Sequence, residues 1–113
     1  MKSKVRKVGE VTVVDLEGKI TIGAGDVVLR DTIKELADNG VRKILLNLGE
    51  VGYMDSSGVG ELVAAYTSIA NRGGQLKLLN VTKKIQDLLQ ITQLLTVFET
   101  YDNEAEALAS YRS

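Results

Sequence analysis

Met54-Asp55-Ser56-Ser57-Gly58-Val59-Gly60 brings a carboxylate, two adjacent hydroxyls and two glycines together in one short stretch. A serine hydroxyl in such a place can be a nucleophile, a phosphate-binding group or a phosphoacceptor. Nucleophilic catalysis needs a neighbouring base, and the chain contains neither His nor Cys. The elbow that exposes a catalytic serine also wants Gly two residues earlier; Met54 stands there for Ser56, and Asp55 for Ser57. Backbone cradling of a phosphate wants a Gly-rich loop closed by Lys, or Gly-x-Gly-x-x-Gly, and the chain has neither spacing. The phosphoacceptor reading survives. A phosphoserine carries about −1.5 to −2 charges, which the positive N-terminal end of a helix tolerates.

The flanking sequence supplies that helix. Val59, Leu62, Val63, Tyr66, Ile69 and Ala70 recur at intervals of three and four, one apolar stripe on a helical surface. Before it, Ile44-Leu45-Leu46-Asn47-Leu48 is short and aliphatic, as befits a central strand covered on both faces. The stretch of residues 51–60 therefore reads as a loop from strand into helix, with Asp55 as N-cap and Ser56 and Ser57 at the first positions. Glu61 completes no capping box, because the residue three before it is Gly58. Gly58 and Gly60 each cost a helix up to about 1 kcal/mol relative to Ala; close approach by another backbone or by a partner is the expected return. Met54 either seals the strand end under the helix or joins Tyr53 in a docking surface. Asp55 caps the helix and offers a carboxylate that could orient the Ser56 hydroxyl.

Along the rest of the chain, residues 5–8 and 11–16 read as two strands joined through Gly9-Glu10 in a hairpin. Lys2, Lys4, Arg6 and Lys7 crowd the first of them, which reads as a charged edge strand that discourages sheet-to-sheet association, with a basic contact patch for an acidic partner or phosphate as the alternative. A glycine-rich loop over 18–25 leads to a helix capped by Asp26, with Leu29, Ile33, Leu36 and Ala37 inward and Asn39-Gly40 as its stop. Beyond the Ser56 helix, Asn71-Arg72-Gly73-Gly74 is a terminator and Leu76-Lys77-Leu78-Leu79 a strand. Thr82 caps a short helix with Ile85, Leu88 and Leu89 inward, residues 96–100 form a last strand, and Asp102 caps a helix to about Tyr111. Strand and helix alternate from Val41 onward, which requires parallel strands with right-handed crossovers. The expected fold is one α/β domain over residues 1–113: a mixed central β-sheet with mostly parallel strands, an N-terminal hairpin and about four helices.

A chain of 113 residues with 44% hydrophobic residues can bury one core. Its net charge of −1 gives no electrostatic case for nucleic acid or a membrane surface. Without Cys or His there is no disulfide framework and no ordinary zinc site. No cofactor or metal is expected. The first twenty residues lack an apolar block, so neither a signal peptide nor membrane insertion is expected, and a cytoplasmic location is. No pair of carboxylates stands at a spacing that implies acid–base work, so an enzyme is not expected.

Leu46-Asn47-Leu48, Met54-Asp55-Ser56-Ser57-Gly58-Val59-Gly60, and Gly73-Gly74 before Leu76-Lys77-Leu78 together resemble the STAS domain of bacterial anti-sigma factor antagonists, over nearly the whole chain. The resemblance implies that the first Ser after the Asp, here Ser56, is phosphorylated; Ser57 is the second candidate, and the capping argument alone does not choose between them. It implies a partner-switching cycle. The unmodified protein binds an ATP-dependent anti-sigma serine kinase and frees a sigma factor, phosphorylation of Ser56 ends binding, and a PP2C-type phosphatase restores it. Partner contacts would fall on Met54, Asp55, Ser56, Ser57, Gly58, Gly60 and Thr21, with the loop over 18–25 bordering Ser56. One departure concerns that loop. The family often shows Gly-Glu-Leu-Asp where this chain has Gly18-Lys19-Ile20-Thr21. Two other readings stand beside the switch: a scaffold or accessory subunit of a signalling or transport assembly without phosphorylation, and a nucleotide- or lipid-binding module that uses Gly23-Ala24-Gly25.

Overall fold

The computed structural model describes residues 1–111. Its elements are β1 (Lys2–Val8), β2 (Val11–Ile20), α1 (Gly25–Asp38), β3 (Lys43–Met54), α2 (Ser56–Asn71), β4 (Gln75–Leu79), α3 (Lys83–Ile91), β5 (Thr100–Tyr101) and α4 (Glu104–Ala109). The strands form one sheet in the order β1-β2-β3-β4-β5. The hairpin pair β1–β2 is antiparallel and the other three pairs are parallel. Gly9 takes φ +61° in the two-residue turn, the left-handed conformation that tight hairpins need at this point. The basic strand β1 lies at the sheet edge, as the charge pattern predicts.

Side-chain alternation along β3 explains why it reads as apolar throughout. Ile44, Leu46 and Leu48 join Leu29 and Ile33 of α1, Leu62 and Ile69 of α2, and Ile85 and Leu89 of α3 in the main core. Leu45 points the other way, into a smaller cluster with Val11, Val13, Leu79 and Ala107 of α4. Two charged side chains hold that outer layer. Arg6 donates to Asp15 at 2.7 Å and also to Glu104 on α4. Lys77, 7% exposed, donates to the Ser110 carbonyl and hydroxyl at 3.0 and 2.8 Å, pairs with Glu99 at 2.8 Å and lies 4.7 Å from the Tyr111 ring centre. No helix among the described residues is long and apolar enough to cross a membrane.

Several boundaries differ from those expected. Residues 51–54 are the end of β3 and not a loop, because they pair with β2, Gly18 opposite Val51 and Ile20 opposite Met54, across two register shifts. Likewise β2 runs through Ile20, so the loop begins only at Thr21. Asp26 is not the N-cap of α1: the cap is Ala24, without a side-chain bond. Gly25 sits so close on β2 that a Cβ there would lie 2.0 Å from the Lys19 carbonyl oxygen. The helix starts at that contact, and the buried Asp26 turns back to accept from the N–H groups of Ala24 and Val27 at 3.1 and 2.7 Å. In α2, Ala65 is buried and Ala70 exposed, the reverse of the expected stripe end. The strand expected at 96–100 shrinks to Thr100–Tyr101, since Phe98 turns into the core to meet the Tyr66 ring edge-on at 5.4 Å. The last helix is capped by Asn103, whose oxygen accepts from Glu106 N–H at 3.0 Å, in place of Asp102, and it ends at Ala109, short of Tyr111.

Candidate functional site

The site forms where β2 and β3 end together. Ile20 and Met54 are register partners, and the Asp55 N–H donates to the Ile20 carbonyl at 3.2 Å. The chain then turns into α2 with Asp55 extended, at φ −101° and ψ −174°. One Asp55 oxygen accepts from Gly58 N–H at 3.0 Å, which is the cap expected from the sequence. The other accepts from Ile22 N–H, also at 3.0 Å. These amides, Ile22 before Gly58, hold the Asp55 carboxyl below its ordinary value, because each favours the charged form. Asp55 is thus an anionic clamp between the α2 N-terminus and the turn after β2. In the free chain its hydrogen bonds go to the backbone N–H groups of Ile22 and Gly58.

The two serines differ in setting. Ser56 is exposed and Ser57 half-buried. Residues four apart share a row on a helix, so Ser56 stands over Gly60 and Ser57 over Glu61. Gly60 has nothing within 4 Å of where a Cβ would be, and it leaves the Ser56 side of the helix clear. Glu61 is tied to Arg30 of α1 at 2.8 and 3.0 Å, so the Ser57 row faces a neighbouring helix. Gly58 has a different reason for being glycine. A Cβ there would come within 2.3 Å of the Ile20 carbonyl oxygen and 2.6 Å of Met54 Cγ. The first turn of α2 rests directly on the strand ends, and only glycine permits it.

The other residues expected at the site divide accordingly. Met54 is 4% exposed in the main core; it seals the strand end, and its expected contact role is corrected to packing. Gly58 is buried for the same reason. Thr21 is half-buried, and its carbonyl accepts from Ala24 and Asp26 N–H at 3.1 and 3.3 Å, closing the turn beside Asp55. That turn does border the serines, as the family likeness implied. It also presents a residue that sequence reasoning passed over: Ile22 is 74% exposed. The available signal was an isolated branched apolar residue in a polar, glycine-rich stretch, outside any strand or helix period.

Ile22, Gly23 and Ala24 in the turn after β2, Gly52 and Tyr53 near the end of β3, and Gly60 on α2 are all exposed at the end of the sheet that carries Ser56. A cavity of about 520 Å³ is lined by Tyr66, Leu76, Lys77, Val97, Glu99 and Tyr101, without either serine. Among the described residues no group of three or more His, Cys, Asp or Glu side chains could hold a metal ion. An exposed hydroxyl at a helix start that is hydrogen-bonded to the neighbouring strand end can be modified by, and pressed against, another protein.

Comparison with known proteins agrees with this geometry. The family model described as STAS domain matches residues 2–107. The anti-sigma F factor antagonist of Paenibacillus polymyxa is 30% identical over 98 residues, which are 87% of this chain and 84% of that protein. The crystal structure of tm1081 from Thermotoga maritima superposes with a TM-score of 0.89 at 25% identity, covering 98% of this chain and 95% of that one. The Bacillus cell fate determinant SpoIIAA, solved in the phosphorylated form, shares the fold with a TM-score of 0.77 at 24% identity, over 98% of this chain and all of that one (100%).

Proposed function

The chain belongs to the STAS domain family, and from that premise we propose that it acts as an anti-sigma factor antagonist, a phosphorylation-controlled partner switch with Ser56 as the acceptor. In this reading the binding module is a single domain, taken as residues 1–113. Unmodified, it binds an ATP-dependent anti-sigma serine kinase through Asp55, Ser56, Ser57, Gly60 and Thr21, and so frees a sigma factor. Phosphorylation of Ser56 by that kinase ends the contact, and a PP2C-type phosphatase reverses it. The role is binding, with no chemistry of the chain's own.

The observation that carries this reading is the contrast between the serines: Ser56 is exposed above an open Gly60, whereas Ser57 is half-buried above the Arg30–Glu61 pair. A kinase must enclose the acceptor hydroxyl, and the greater exposure of Ser56 and the open space at Gly60 favour it over Ser57. Support also comes from the relatives. The Paenibacillus protein is named for antagonism of an anti-sigma factor, and SpoIIAA, of the same fold, carries a phosphoryl group in one solved form.

The off-state follows from charge. No Lys or Arg lies between Lys43 and Arg72 in sequence, and Arg30, on the neighbouring helix, is engaged by Glu61; Lys19, exposed at the end of β2 opposite Tyr53, is the cation of this corner, and it has to offset a doubly charged phosphate as well as Asp55. A phosphoryl group on Ser56 adds its charge beside the ionised Asp55. Pressed into an interface, that pair of like charges costs about 3 kcal/mol or more, a factor of at least about 150 in affinity.

The test is intact mass after incubation with the kinase and ATP. Wild type and Ser57→Ala gain one phosphoryl group and Ser56→Ala gains none. Modification of Ser56→Ala to the wild-type extent would overturn the assignment.

A further inference from the structure

Seven large apolar side chains are exposed among the described residues, and Ile22, Val27 and Tyr53 are three of them. All three lie at the end of the sheet that carries Ser56: Ile22 in the turn after β2, Val27 in the first turn of α1, Tyr53 near the end of β3. Ile22 stands out by its exposure of 74% and by how firmly its backbone is held. Its N–H is bound to an Asp55 oxygen at 3.0 Å, and the turn around it is closed by two bonds to the Thr21 carbonyl. Gly23 takes φ +74°, which makes that tight turn possible and leaves the Ile22 side chain outside it. Ile91 is 79% exposed as well, but it ends α3 and has no such tie to the serine corner.

A branched apolar side chain on a fixed backbone is costly to leave in water and cheap to bind, because little conformational freedom remains to be lost. Lys19 and Thr21 beside it bring no carboxylate, so specificity at this corner cannot rest on an acidic contact from them. We propose that Ile22 is the specificity-setting anchor of the partner interface, inserting into an apolar pocket on the kinase beside the cleft that receives Ser56. The proposal rests on the partner-switch reading above. The single carboxylate of Asp55 links anchor and acceptor: one oxygen fixes Ile22 and the other fixes the helix turn that bears Ser56.

The test is a titration of the full-length chain against the purified anti-sigma serine kinase from the same genome, loaded with nucleotide. Four forms are compared: wild type, Ile22→Ser, Ile22→Leu and Ser56→Asp. Ile22→Ser is expected to weaken binding about tenfold or more. Ile22→Leu, which keeps the apolar volume, should stay within about threefold of wild type. Melting temperatures should agree closely across the Ile22 variants, since the side chain contributes little to the core. If Ile22→Ser binds as wild type while Ser56→Asp is released, the anchor is overturned and the switch stands. Equal losses for Ile22→Ser and Ile22→Leu would also overturn it, because an apolar pocket tolerates leucine. Failure of wild type itself to bind would overturn the partner-switch reading, and the anchor with it.

Discussion

Asp55 serves two backbone donors with two oxygens, and that double use can be separated by substitution. Asn is as good an N-cap as Asp, but it has one acceptor oxygen and an NH2 group where Asp has a second acceptor. Asp55→Asn can therefore keep the bond to Gly58 N–H only by turning a donor toward Ile22 N–H. Faster amide exchange at Ile22 than in wild type, with α2 still protected, is the expected result. Its pH dependence has a definite sign. The folded carboxyl is held below its ordinary value of 3.8, so the charged clamp contributes stability that is complete above that value. The contribution is lost as pH falls through the lower folded value. Urea titrations of wild type and Asp55→Asn should differ in midpoint by a constant amount above about pH 4.5 and converge below pH 3.8. A difference that persists unchanged to pH 2.5 would show that the clamp does not depend on charge.

In α2 the two glycines of the first turns look equivalent in sequence and are opposites in structure. Gly58→Ala forces a Cβ to 2.3 Å from the Ile20 carbonyl oxygen; the backbone cannot yield without moving the helix, and a loss of about 2 kcal/mol or more is expected. Gly60→Ala meets nothing within 4 Å and should gain roughly 0.5–1 kcal/mol from helix propensity, while slowing phosphorylation of the Ser56 above it. Denaturant midpoints at constant slope measure the first pair of effects, and initial rates with the kinase measure the last. This contrast also marks how much the sequence could tell. Capping by Asp55 and Thr82 was legible because a side-chain oxygen before a periodic run is a local signal. The end of β3 was not: Gly49, Glu50 and Gly52 interrupt the apolar run, and only pairing with β2 across a shifted register makes a strand of them. Asp102 and Asn103 are both capping types, and the docking of Ala107 against the sheet decides for the second. Ile22 was missed for a related reason. Its exposure depends on a bond to Asp55, thirty-three residues away in sequence.

Across the molecule the shifted carboxyls of the described residues share one tendency that bears on what can switch it. The shifted carboxyls are all held low: Asp55 by the amides of Ile22 and Gly58, Asp15 and Glu104 by Arg6, Glu99 by Lys77, Asp38 by Lys34 and Glu10 by Lys43. Each contributes stability above its ordinary value and loses it in acid. With no His and no Cys, no side chain has an ordinary value between about pH 5 and 7. Fold stability should be level there. A phosphoryl group on Ser56 breaks this silence, because its second proton leaves near pH 6. Between about pH 7.5 and 5.5 its charge moves from nearly −2 toward −1, and the repulsion from Asp55 and the cost of desolvation fall together. The ratio of kinase dissociation constants, phosphorylated over unmodified, should therefore be largest at about pH 7.5 and fall several-fold by pH 5.5. Using a ratio cancels titration of the kinase that affects both forms alike. Ser56→Asp supplies the control, since its single carboxylate keeps one charge throughout this range and its ratio should stay flat. A phosphoserine ratio equally flat would mean that the phosphoryl group acts by its bulk in the interface, and that the charge beside Asp55 is incidental to release.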